Sequence, residues 1–221
     1  MSSAVYRQVS EVAPASMSPS VDPENNLLWR ARLRRLEAES IRDSMLSASG
    51  ALDVTLGGAP VPLEYHPDGR VTVAKTGLAT PTSKYRRTLY LLNRRIYNPS
   101  FLNVFDKPIV TAGVCQRDAA AVPLQPLAML NDGLAAEQAA HLAARVVNTA
   151  GDDTELRIEW AYRFVFSRRP AAMEIDWSRE LLESQVEIFG QEDSSKDEIQ
   201  LKALVELCQM LLNTNEFLYL E

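Results

Sequence analysis

Histidine and cysteine are nearly missing from this sequence, with two of each in 221 residues. Cys115 and Cys208 match no zinc or redox spacing, and no C-x-x-C-H haem-attachment motif is present. They read as two independent thiols, buried or half-buried. His66 and His141 fall on separate elements without a second ligand type at metal spacing, so no metal is expected. A turn histidine at position 66 and a hydrogen-bonded structural histidine at 141 are the expectations. There is no phosphate-binding glycine loop, no His-Glu-x-x-His pair and no nucleophile elbow. A serine triad would have to recruit one of the two histidines, and neither stands near a supporting signature. No apolar run approaches the ~20 residues of a membrane helix. The start shows no basic-then-apolar signal pattern, so neither a transmembrane segment nor a signal peptide is expected within this chain.

Basic charge is also scarce in the second half. Residues 1–118 carry 15 Lys/Arg against 11 Asp/Glu, and residues 119–221 carry 8 against 18, which together make the net charge of −6. A face that wraps phosphates must be continuously basic, so no nucleic-acid partner is expected. The 29 acids supply many carboxylate pairs, none in a setting that marks a glycosidase.

Enough apolar residues are present (46%) to build a core. Asp22-Pro23-Glu24 has the form of a helix start, with an acid cap, proline in the first turn and a following acid. The helix it opens should run to about Ser49 and end at Gly50. Ala38, Ile41, Met45 and Ala48 make its packing stripe, and Arg35 is expected to pair with Glu39 along it. Leu63–His66 and Arg70–Val73 alternate on either side of Pro67-Asp68-Gly69, which reads as a β-hairpin, the one convincing β element. Pro123 should open a helix ending near Asn131, with Asp132 capping the next. That next helix packs through Ala135, Ala139, Leu142 and Val146. Further helices are expected from Thr154, from Ala172 to Phe189, and from Asp197 to Asn213. Phe217-Leu218-Tyr219 should dock. The fold class is mostly α, a multi-helix domain with one small hairpin near residues 63–73. Residues 1–150 and 151–221 together form one continuous domain.

The densest cluster of chemistry runs from Lys84 to Val147. Tyr85, Leu89, Leu92 and Ile96 recur at helical spacing, which predicts a helix. On it Arg87 and Arg94 lie about 20° apart around the axis, and Arg86, Arg87, Arg94 and Arg95 flank an aromatic stripe that includes Tyr90. Such arginines suit bidentate binding of carboxylate or sulfate. They equally suit internal pairing with Asp106, with Asp43 beside Arg42, or with the acidic half. At least one of Arg87 and Arg94 is expected on an internal carboxylate, Asp106 first and Asp43 second.

The order Arg86-Arg87-x-x-Tyr90, Phe105-Asp106, Arg117, Pro123-Leu124-Gln125 and Leu130-Asn131-Asp132 resembles the C-terminal domain of unknown function in large, cytochrome-c-domain-containing planctomycete proteins, the PSD family. Tyr6-Arg7-Gln8, Asp22-Pro23-Glu24-Asn25, Arg34-Arg35-Leu36-Glu37 and the tail from Leu207-Cys208 to Tyr219 agree in the same order. One departure is Ala119-Ala120-Ala121-Val122, where the family usually has threonines. The resemblance implies that Met1 falls inside the expected domain, so that the chain is a C-terminal portion of a longer design. It further implies a periplasmic or otherwise extracytoplasmic location. Haem is expected only in a separate domain of the parent, with no cofactor in this chain, and the parent's other domains are the expected partners. Two functions stand side by side. One is a non-catalytic structural or interaction module. The other is a contribution to a hydrolytic or carbohydrate-binding site for acidic polysaccharide, with Arg87, Arg94, Arg86, Tyr90, Asp106, Arg42, Asp43, Arg117, Gln125 and Asn131 as candidate residues.

Overall fold

The structure, a computed structural model, describes residues 8–10, 18–94, 97–108, 121–191 and 195–220. In chain order these form α1 (Ser18–Val21), β1 (Arg34–Arg35), α2 (Ala38–Ser49), β2 (Leu63–Tyr65), β3 (Val71–Val73) and α3 (Ser100–Val104). There follow α4 (Leu124–Asn131), α5 (Gly133–Ala150), α6 (Thr154–Phe166), α7 (Ala172–Phe189), α8 (Lys196–Leu212), α9 (Asn215–Leu218) and β4 (Tyr219–Leu220). The architecture is mostly α, as expected, with two small antiparallel strand pairs.

The helix termini are set by local chemistry. Asp132 accepts the Leu134 N–H at 2.8 Å and Asp153 accepts the Leu156 N–H at 3.0 Å, each satisfying a donor that the first turn leaves open. Ser195 and Glu198 do the same reciprocally at the start of α8, with bonds of 3.3 and 3.0 Å. Gly50 ends α2 with φ +77°, a left-handed conformation that glycine adopts without a Cβ penalty.

Helix α5 is the hub, touching α2, α4, α6 and α8. Its Ala135, Ala139, Leu142, Ala143 and Val146 are buried, and the alanines let neighbouring helices approach closely. Cys208 is buried in α8 beside Leu204, Leu207 and Leu211, and burial pushes its thiol's pKa up. One apolar cluster spans Ala38 to Leu218. The tail docks as expected, through buried Phe217 and Leu218. No helix among the described residues is long and apolar enough to cross a membrane.

Three expectations are corrected. Asp22-Pro23 opens no helix. The two Asp22 oxygens accept the N–H groups of Asn26 and Leu27 at 3.0 and 2.7 Å, closing a turn in which Asn25 and Leu28 take positive φ, and α2 begins only at Ala38. The 63–73 hairpin forms, but a second pair joins it: β1 lies antiparallel to β4, Arg34 opposite Leu220 and Arg35 opposite Tyr219. Arg35 therefore sits on a strand and not on a helix face shared with Glu39. Finally, residues 85–94 do not form a helix. Two 3-10 turns, Pro81–Tyr85 and Thr88–Tyr90, are separated by extended Arg86 and Arg87. The backbone there is paired with the 53–61 loop instead: Asp53 N–H to Tyr85 O at 3.1 Å, Val61 N–H to Tyr90 O at 2.7 Å, and Leu92 N–H to Val61 O at 2.8 Å. Helical spacing therefore coincides with a segment whose hydrogen bonds are tertiary, and Leu89, placed on the expected apolar stripe, is 78% exposed.

Candidate functional site

Helix α2 carries two distinct faces. Ile41, Met45 and Ala48 enter the core, while Ser40, Ser44 and Ser47 line the floor of a surface groove of about 580 Å³. Arg42 and Asp43 mark the boundary between them. The opposite wall is Arg87, Thr88, Leu89, Leu91 and Asn93, with Glu37, Glu39 and Lys107 also lining the groove.

Arg42 is 1% exposed. Its two terminal nitrogens donate to Lys84 O at 2.9 Å, Arg86 O at 2.9 Å and Thr88 Oγ1 at 3.1 Å. Asp43 completes the grip, its Oδ1 accepting the Thr88 N–H at 2.8 Å and the Thr88 hydroxyl at 2.6 Å. Two adjacent residues on one helix thereby hold the extended 84–88 segment by its main chain. This pairing supplies carbonyl partners that a segment without regular structure would otherwise lack. Burial pushes the Arg42 guanidinium down to about 10, against the opposing pull of the Asp43 carboxylate, so it remains charged at neutral pH.

Arg86 faces the other way. It is buried, lies over the Tyr90 ring at 3.8 Å, and donates to the carbonyls of Thr55, Gly57 and Ala59. The Tyr90 hydroxyl accepts the Gly57 N–H at 3.1 Å. Arg35 repeats the device at a third place, bonding Asp106 Oδ2 at 2.7 Å and Phe105 O at 3.2 Å. Asp106 itself sits at φ +60°, a conformation that needs such outside support in a residue bearing a Cβ.

The structure thus brings together Arg42, Asp43, Arg86, Arg87 and Tyr90, and separates the remaining candidates. Arg87 has Asp43 Oδ2 3.6 Å from its Nε, with the arginine side chain 55% exposed. The second-choice carboxylate is the one it meets, while Asp106, the first choice, belongs to Arg35. Arg94 lies over the Tyr65 ring at 5.9 Å and shares no helix flank with Arg87. Gln125 is buried and donates to Val104 O at 3.2 Å, tying α4 to α3. Asn131 is exposed and donates to Leu127 O at 2.9 Å at the end of α4. Arg117 and Cys115 lie outside the described residues, as do Ala119 and Ala120 of the departure from the family pattern. Sequence reasoning missed Ser40, Ser44, Ser47, Thr88 and Lys107. The serines fall at i, i+4 and i+7 on the face that flanks the packing stripe, a signal that a helical wheel of α2 carries.

Beside the groove, the Lys84 ammonium and the Tyr85 hydroxyl both donate to Glu137 Oε1, at 2.9 and 2.8 Å, and His141 meets the Tyr85 ring edge-on at 5.5 Å. Partial burial would raise the Glu137 carboxyl, but the two donors outweigh it and hold the pKa below the usual range. Among the described residues no three of His, Cys, Asp and Glu converge to hold a metal.

No curated protein and no solved structure matches the chain. A family model does, over residues 1–216: PSD1, described as a protein of unknown function (DUF1553). A match over nearly the whole length, on a sequence whose Arg-Arg-x-x-Tyr and Phe-Asp blocks build the anchors around α2, identifies the chain as a member of the PSD1 family.

Proposed function

We propose that the chain is a non-catalytic interaction module, joined to or working with a larger extracytoplasmic protein that carries cytochrome c domains. The observation that supports this is where the arginines are used. Arg35, Arg42 and Arg86 are all buried and donate to main-chain carbonyls of other segments, so the groups most suited to anion chemistry serve as internal clamps. In this reading the chain holds no cofactor and any haem belongs to another domain. Its partners are the parent's other domains, and nucleic acid is not among them.

The acidic-polysaccharide reading has less support. Of the described candidate residues only Asp43 and Arg87 line the groove, and the Asp43 carboxylate stands 3.6 Å from the Arg87 Nε. The deciding experiment is fractionation of the native cells with an antibody to this chain, followed by haem staining of the immunoprecipitate. The chain is expected in the extracytoplasmic fraction together with a covalently haem-bearing polypeptide. Recovery from the cytoplasm, or without haem protein, would refute the proposal.

A further inference from the structure

We infer that the outward face of α7 docks a cationic amphipathic helix of a partner protein. The inference rests on the interaction-module proposal and names the surface and the chemistry through which such a module works. Helix α7 carries two stripes where one would suffice to seat it. On the inner side Ser178 and Leu182 are buried and Ile175 packs against the core. On the other side Met173, Trp177, Leu181, Ser184 and Ile188 follow at i, i+4, i+8, i+11 and i+15. At about 100° per residue these five share an arc of about 80°, centred about 140° from the inner stripe. Met173 and Trp177 are each 61% exposed and Ile188 is 54% exposed. Leu181, at the middle, is half-buried and opens onto a groove of about 320 Å³ that it lines together with Leu130 of α4 and Met210 of α8. The outer stripe thus runs about 22 Å along the helix. An exposed apolar surface of this kind marks a contact site, and tryptophan is among the residues that most often anchor one.

The charges at its edges select the partner. Glu180 and Glu187 border the stripe on one side, and Glu206 lines the groove on the other. All three are exposed, and among the described residues none of them makes an ion pair or a hydrogen bond. In this they differ from Glu174 and Asp176 of the same helix, which Arg168 and Arg179 hold. No lysine or arginine lines the groove. A ridge with a groove beside it is the surface against which a second helix packs. Free carboxylates along both edges ask that this helix flank its own apolar stripe with lysine or arginine.

Other occupants fit the surface less well. A second copy would set acidic edges against acidic edges, whichever way the two α7 helices ran. An anionic membrane surface would meet the same glutamates. A strand finds no main-chain edge to pair with, because α7 and α8 bond their own amides.

The test uses the whole chain, ¹⁵N-labelled, titrated with stapled helical peptides of about five turns. One carries a leucine stripe flanked by lysines, another the same stripe flanked by glutamates, and the last the lysines with serine in place of the stripe. The first is expected to shift amides of residues 173–188 and 206–210, and to bind at least about tenfold more tightly than the others. Trp177→Ser should weaken it about tenfold. Glu180→Lys combined with Glu187→Lys should transfer the preference to the glutamate-flanked helix, and all unfolding midpoints should stay unchanged. Absence of shifts at millimolar peptide overturns the inference, as does equal binding of the stripeless helix or binding that survives Trp177→Ser. Sedimentation of the free chain is expected to give a monomer. A dimer dispersed by Trp177→Ser would assign the face to a second copy and overturn the inference too. Recovery of the haem protein judges the module and the helix titration judges the surface, so either can fail alone.

Discussion

Replacing Arg42 with alanine tests the internal role of the arginines most directly. The change removes the donor from Lys84 O, Arg86 O and Thr88 Oγ1 at a residue 1% exposed. Each buried acceptor left unpaired costs about 1–3 kcal/mol, so the two carbonyls alone cost about 2–6 kcal/mol. Two effects offset some of this. The desolvation of the guanidinium is relieved, and the vacated polar space is large enough to admit water. A net loss of about 3–5 kcal/mol follows, the range for breaking one side of a buried charged contact. Arg42→Lys keeps the charge but loses the planar fork, so it should recover less than half. Arg87→Ala serves as the control. Its side chain is 55% exposed and its contact with Asp43 is long, so it should cost no more than about 0.5–1 kcal/mol. Urea unfolding followed by far-ultraviolet circular dichroism reads the difference. With a slope of about 2–3 kcal/mol/M, the Arg42→Ala midpoint should fall by about 1–2 M. A fall no larger than that of Arg87→Ala would refute the idea that these arginines carry the fold.

Three further outcomes are expected. At Gly50, φ is +77° and an added Cβ would meet Arg145 Cδ at 3.1 Å, so Gly50→Ala should cost about 1–2 kcal/mol; an unchanged or higher calorimetric midpoint would contradict this. Phe217, 6% exposed in the core, should cost about 3–5 kcal/mol on truncation to alanine. Hydrogen exchange at the Leu36 amide, which donates to Leu218 O at 2.8 Å, should accelerate with it, and retained protection there would count against a docked tail. Glu137 and Glu174 have pKa values held below the usual glutamate range. For Glu137, burial pushes upward but the Lys84 and Tyr85 bonds prevail; for Glu174, the Arg168 hydrogen bonds lead. A depressed carboxyl contributes stability that is present above its unfolded pKa of about 4.3 and lost as pH falls through the folded value. The urea midpoint should therefore drop as pH falls below about 4.3, and Glu137→Gln should flatten the drop. A slope unaltered by that substitution would remove Glu137 from the account.

The regions of the fold that are legible in the sequence are those whose hydrogen bonds are local. Helix α5 can be read from Asp132 through its alanine stripe because cap, period and packing face all agree within eighteen residues. For α7 the bounds Ala172 to Phe189 are legible but the packing face is not, since Ala171 makes no side-chain cap bond and only Ser178 and Leu182 are buried. Residues 85–94 mislead because Tyr85, Leu89 and Leu92 happen to fall at helical intervals while the Tyr85 and Tyr90 carbonyls and the Leu92 amide serve partners some thirty residues back. The Asp22-Pro23-Glu24 signal fails for a related reason, since an aspartate that can cap a helix can equally close a turn. In the site, Asp43 and Arg42 are visible as charges, but their task is not. Which carbonyl a guanidinium reaches depends on where two distant segments cross, and no spacing within either one encodes it.

The pairing of β1 with β4 gives the protein a particular response to tension. Arg34 faces Leu220 at one end of the two-residue ladder and Arg35 faces Tyr219 behind it, so positions 34 and 220 stand together at the same end. Traction on both flanks then loads Arg34 and Leu220 first and Leu36–Leu218 after them. The contacts separate in succession, as in peeling, and do not share the load as they would in shear. Behind the ladder the load passes to the Arg35 bonds with Phe105 O and Asp106 Oδ2, so the end of α3 resists once the strands have parted.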